Sequence, residues 1–114
     1  MLAGEFAKSM DMELLLPDMA EKEMEISGCY IGDLLSNVMG KAKTGQIWLT
    51  VMTNINILAV AQLLELSGIV LLEENQPAEG VLERATLEDI PVFLTKEAAY
   101  QAAVRLYESG LAPR

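Results

Sequence analysis

The chain has 114 residues, of which 52% are apolar, with a mean hydropathy of +0.28. That length buries about two-thirds of the unfolded chain's surface in one core, so a single domain spanning 1–114 is expected. Seventeen acids against eight bases give a net charge of −9, which disfavours phosphate backbones and anionic lipid headgroups and predicts neither nucleic-acid nor membrane binding. The absence of histidine and the single cysteine exclude serine-type triads, histidine-containing metal sites, cysteine zinc clusters and an internal disulfide.

From the amino terminus, LAGEFAKSM (2–10) spaces Leu2, Phe6 and Met10 as one helix face. MELLL (12–16) reads as a strand stopped by Pro17, DMAEKEME (18–25) as a charged loop, and EISGCYI (25–31) as a second strand. Asp33 is placed to cap a helix over DLLSNVMGKAK (33–43), with Leu34, Leu35, Val38 and Met39 as its apolar face. Gly40 or Gly45 ends that helix; GKAKTG (40–45) lacks phosphate-loop spacing and precedes a strand, so it reads as a helix end.

Residues 46–95 repeat one unit three times: a short apolar strand, a polar turn and an apolar-faced helix. QIWLTVM (46–52) passes through Thr53 and Asn54 into NILAVAQLLEL (56–66), GIVLL (68–72) passes through EENQP into a helix from Ala78, and IPVFL (90–94) passes through Thr95 into KEAAYQAAVRLY (96–107). Such alternation implies parallel strands joined by right-handed crossovers, with every strand's carboxyl end on one rim. Open α/β sheets place ligands on that rim. The polar residues available there are Thr53, Asn54, Asn56, Asp33 and Thr95. Each is a common helix-capping type, and the TNIN run (53–56) would also present backbone N–H groups and a helix dipole to an anion. Asp33, Glu73 and Glu74 stand near strand ends, where capping and solvation account for them without catalysis or a metal.

The amino terminus lacks the basic and apolar regions of a signal peptide, and the apolar stretch 55–72 is interrupted by Asn56, Gln62, Glu65 and Ser67. A cytoplasmic location is expected. Cys29, between Gly28 and Tyr30, reads as a small core residue. The apolar fraction exceeds what one small core hides, which predicts a homodimer.

Residues 28–95 resemble the DRTGG domain family, small modules similar to the amino-terminal domain of HPr kinase/phosphorylase. The resemblance rests on GDLLS (32–36), the W-L-T-x-x-T-N-I-N-x-x-A-V-A run (48–61) and IPVFLT (90–95). It implies an α/β three-layer sandwich with a mostly parallel central sheet and a non-catalytic accessory role. Such domains are found fused to CBS-domain pyrophosphatases or to phosphotransacetylase. The literal DRTGG string is absent, and nothing in the chain supplies the separate phosphate-loop domain that carries kinase activity.

The expected function is therefore a regulatory module, not an enzyme, needing no cofactor or metal and binding a small anionic metabolite or nucleotide at the carboxyl rim. The alternative is a protein-interaction or scaffold subunit without a small-molecule site, in which the apolar excess serves a protein partner.

Overall fold

The computed structural model describes residues 1–113. Its elements run α1 (Ala3–Met10), β1 (Glu13–Leu14), a 3₁₀ turn (Pro17–Met19), β2 (Gly28–Ile31), α2 (Leu35–Lys41), β3 (Gln46–Thr50), α3 (Asn56–Leu64), β4 (Gly68–Leu71), α4 (Val81–Glu88), β5 (Val92–Leu94) and α5 (Ala99–Glu108). The five strands form one sheet in the order β1-β5-β4-β3-β2. β2 to β5 are mutually parallel, and β1 pairs antiparallel with β5 through Glu13↔Leu94 and Leu14↔Phe93.

Successive parallel strands step one place in the same direction each time, so right-handed crossovers bring all three connecting helices to one face. One apolar cluster accordingly joins Val38 of α2, Ile57, Leu58 and Ala61 of α3 and Ala85 of α4 to Trp48, Ile69, Leu71 and Val92 of the sheet. The second face is covered by α1 and α5: Phe6, Met10, Ala102 and Leu106 pack on Ile47, Leu49, Val70 and Phe93. The result is the expected three-layer sandwich. Every residue of β3, β4 and β5 is buried, because a parallel strand covered on both faces has no solvent side on which to alternate. Phe6 and Phe93 meet at 4.9 Å between ring centroids with a 59° tilt, a geometry worth about 1 kcal/mol beyond its buried area.

Boundaries differ from the expected ones where turn geometry intervenes. Gly40 lies inside α2, and Gly45, at φ +85°, makes the turn into β3. A Cβ there would lie 2.7 Å from Ser27 Oγ, so the turn requires glycine on steric as well as conformational grounds. The helix expected from Ala78 starts at Val81, because Gly80 is left-handed at φ +87°. No helix among the described residues is long and apolar enough to cross a membrane.

Candidate functional site

The carboxyl ends of β2 to β5 share one rim, and each is tied off by its own hydrogen bonds. Beyond β2, Asp33 departs from its expected role. Leu34 is the capping residue of α2, and it is capped by no side chain. The Asp33 carboxylate instead accepts from Thr50 Oγ1 at 2.8 Å and from the Val51 N–H at 2.9 Å. Asp33 thus bridges the ends of β2 and β3, because the strand-end N–H and hydroxyl are closer donors than the next helical turn. Thr50 is fully buried, and its Oγ1 also accepts the Met52 N–H at 3.1 Å. Beside it, the fully buried Trp48 donates its indole N–H to Gly32 O at 3.0 Å.

The turn after β3 is divided between Thr53 and Asn54. Asn54 Oδ1 accepts the Asn56 N–H at 2.9 Å, which closes the turn before α3, whose N-cap residue is Ile55 and is capped by no side chain. Thr53 supplies no side-chain cap; its carbonyl accepts the Ala78 N–H at 2.9 Å and fastens the β4–α4 loop across the rim. Among the described residues, the N–H groups of Thr53, Asn54 and Ile55 donate to no protein acceptor. Thr53 is half-buried, whereas Asn54 and Asn56 are exposed. These three residues and Asp33 share the β2–β3 end of the rim.

Thr95 belongs to a different place. Buried at the end of β5, it accepts the Glu97 N–H on Oγ1 at 3.1 Å, which shapes the 95–97 turn and not the first turn of α5. Gln101 Oε1 closes that helix start by accepting the Ala98 N–H at 3.2 Å. The Thr95 carbonyl accepts the Glu74 N–H and the Glu97 carbonyl accepts the Glu73 N–H. Glu73 and Glu74 are both left-handed, at φ 57°, and Asn75 N–H closes the turn on Leu72 O at 3.1 Å. Thr95 lines a cleft of about 420 Å³ with Asp11, Glu13, Glu74, Lys96 and Glu97. Arg105 grips Glu97 through two hydrogen bonds of 3.0 and 2.6 Å, and this ion pair holds the Glu97 carboxyl below its ordinary value. With four carboxylates in its lining, this cleft repels anions.

A larger concavity, about 680 Å³, lies at the opposite rim, among the amino ends of the strands. Its lining includes Ser27, Thr44, Gly45 and Ser67, together with Glu23, Glu25, Glu65, Glu88 and Asp89 against Lys22. Backbone bonds knit its floor: Ser27 N–H to Gly45 O, Gly45 N–H to Glu65 O and Ser67 N–H to Gln46 O. The Ser67 hydroxyl is buried without a partner. Sequence reasoning passed over this rim, although the small polar residues Ser27, Thr44 and Ser67 just before three strand starts are a visible signal of it. Among the described residues, no three His, Cys, Asp or Glu side chains converge to hold a metal ion. Asp33 and the Glu73–Glu74 pair end strands separated by β3. Burial pushes the Cys29 thiol up to about 11, which leaves it protonated and weakly nucleophilic at neutral pH.

No protein-family model matches the chain, and no curated protein matches it. Among solved structures, it is similar to the CBS and DRTGG domains of the regulatory region of Clostridium perfringens pyrophosphatase, solved with the activator diadenosine tetraphosphate. The likeness has a TM-score of 0.65 at 12% identity and covers 94% of this chain and 46% of that one. The chain therefore spans about half the length of the structure it matches. At this identity the likeness establishes a shared mixed α/β fold.

Proposed function

We propose that this chain is a non-catalytic regulatory module that binds a small anionic metabolite or nucleotide at the β2–β3 end of the carboxyl rim. The observation that carries the reading is the set of three N–H groups, of Thr53, Asn54 and Ile55, free of protein acceptors in the turn that leads into α3. Unpaired backbone donors beside the positive end of a helix favour an anion. The other two clefts described above are lined with carboxylates and disfavour one. The fold supports a regulatory role, since the solved pyrophosphatase region is itself regulatory and carries a nucleotide activator. Thr53, Asn54, Asn56 and Asp33 line the proposed contact. Thr95, which stands among acids, is a peripheral member of the set.

Trp48 provides the readout, because its indole N–H is bonded to Gly32 O beside Asp33. Titration with inorganic phosphate, ADP and ATP at low salt, where a weak anion site is least screened, is expected to shift its emission saturably. Asn54→Asp keeps an oxygen to accept the Asn56 N–H, and with it the turn before α3, while setting a carboxylate against the anion. Binding is expected to disappear in that variant at unchanged stability. Wild-type affinity no better than millimolar for all three compounds, or binding indifferent to Asn54→Asp, would sink the rim site.

The second reading is an interaction subunit with no small-molecule site. Exposed Ile31, Leu34, Val104 and Tyr107 favour it. It becomes the better account if the titrations fail.

A further inference from the structure

The sheet has two lateral edges, and they are finished differently. At one edge, β1 is two residues long, carries exposed Glu13 and is soon followed by Pro17. Short length, charge and proline are the ordinary devices that stop an edge strand from pairing. At the other edge, β2 has none of them. Residues 26–32, Ile-Ser-Gly-Cys-Tyr-Ile-Gly, contain no charge and no proline, although the chain as a whole carries −9.

The register fixes which backbone groups face outward. Ile31 lies opposite Leu49, and the Gly32 N–H donates to Leu49 O. In a parallel ladder this turns the groups of Tyr30 and Gly32 toward β3 and those of Cys29 and Ile31 away from it. The free edge is flanked by apolar surface. Ile31 is 44% exposed and Tyr107 62%, and an apolar groove of about 190 Å³ beside them is lined by Cys29, Ala103, Leu106 and Leu111.

We infer that the β2 edge pairs antiparallel with the β2 edge of a second copy of this chain, joining two sheets into one continuous sheet. Two-fold pairing presents the same row of groups on both sides and so is self-complementary. A two-fold axis at Tyr30 sets Cys29 opposite Ile31 of the partner subunit and makes about four N–H···O=C bonds. Two chains that each carry −9 repel over most of their surfaces. An uncharged segment with unpaired backbone groups is where that repulsion is least and hydrogen bonding most is gained. An acidic partner protein meets the same constraint but lacks the matched row that symmetry provides.

Sedimentation velocity across the micromolar range tests this, with circular dichroism as the control for folding. Wild type is expected to be a dimer. Ile31→Lys sets an ammonium on the exposed edge and is expected to raise the dimer Kd by about tenfold or more, whereas Leu87→Lys, on 80% exposed α4 surface, is expected to leave it unchanged. A monomeric wild type, a dimer that Ile31→Lys leaves intact, or equal weakening by Leu87→Lys overturns the proposal. If Ile31→Lys fails to fold, Tyr30→Cys in a Cys29→Ser background decides. Facing residues about 4.5 Å apart at Cα lie within disulfide reach, so mild oxidation yields a covalent dimer if the pairing is right and none if it is wrong.

Discussion

The two rims of the sheet are tied by the same kinds of bond and differ in what they leave open. At the carboxyl rim, side chains close the strand ends one by one: Asp33 on Thr50 and Val51, Asn54 on Asn56, and Thr95 on Glu97. At the amino rim Ser27 Oγ donates to Thr44 O, Thr44 Oγ1 donates to Leu64 O and Gln46 Oε1 accepts the Lys43 N–H, yet a cleft of about 680 Å³ stays open over an unpartnered Ser67 hydroxyl. Open α/β sheets form their ligand crevice where strand order reverses. Here β2, β3, β4 and β5 follow one another without reversal, so the carboxyl rim has no switch point to splay its loops apart. Cavity size therefore favours one rim, while donor groups suited to an anion favour the other.

The largest effect that would sharpen this contrast is expected from Asp33→Ala. It removes a carboxylate that accepts two hydrogen bonds and strands the buried Thr50 hydroxyl, at a cost of about 2 kcal/mol by urea unfolding. A cost near zero would mean that the Asp33 bridge does not hold the carboxyl rim.

A smaller, pH-dependent effect is expected from the Glu97–Arg105 pair. Glu97 has a lowered carboxyl value in the folded state, caused first by its hydrogen bond to Arg105. A group depressed on folding contributes stability above its unfolded value, and that contribution is lost as pH falls through the folded one. The stability difference between wild type and Arg105→Met is thus expected at pH 7 and expected to shrink through the acidic side of the carboxylate range. A difference that grows on acidification would contradict the assignment. The half-exposed guanidinium keeps the effect small.

The smallest effect is expected from Ser67→Ala at the amino rim. A hydroxyl with no partner has no hydrogen bond to lose, so stability should stay within about 0.5 kcal/mol of wild type or rise slightly. A loss above about 1 kcal/mol would show that the hydroxyl has a partner in solution, and the amino-rim cleft would then hold no free hydroxyl.

Much of the fold was legible because apolar periodicity and turn residues are local. The strand cores at 46–50, 68–71 and 92–94, and helices α1, α3 and α5, lie inside their expected segments or within a residue or two of them. Helix starts were less legible, because Gly80 and the 95–97 turn impose backbone geometry that propensity alone does not contain. The candidate site was legible only in part. Residue type marked Asp33 and Thr95 as polar groups at strand ends, but not what each would bond. Asp33 turned from helix cap to strand bridge once β3 brought Thr50 and Val51 within reach, and Thr95 was separated from Thr53 by the intervening β4.

By itself the sequence determined the class of the protein: alternating apolar strands and helices, strands too uniformly apolar to face water, and an acidic net charge that disfavours anionic polymers. These properties follow from local spacing and from sums over composition. Only the tertiary structure decided that the strand order runs without reversal, that the main concavity opens at the amino rim, that acids crowd around Thr95, and that β2 is left as an uncharged, unpaired edge. Each of these depends on which strands become neighbours, and pairing between segments distant in the chain is set by burial of the whole sheet, not by any residue's own preference.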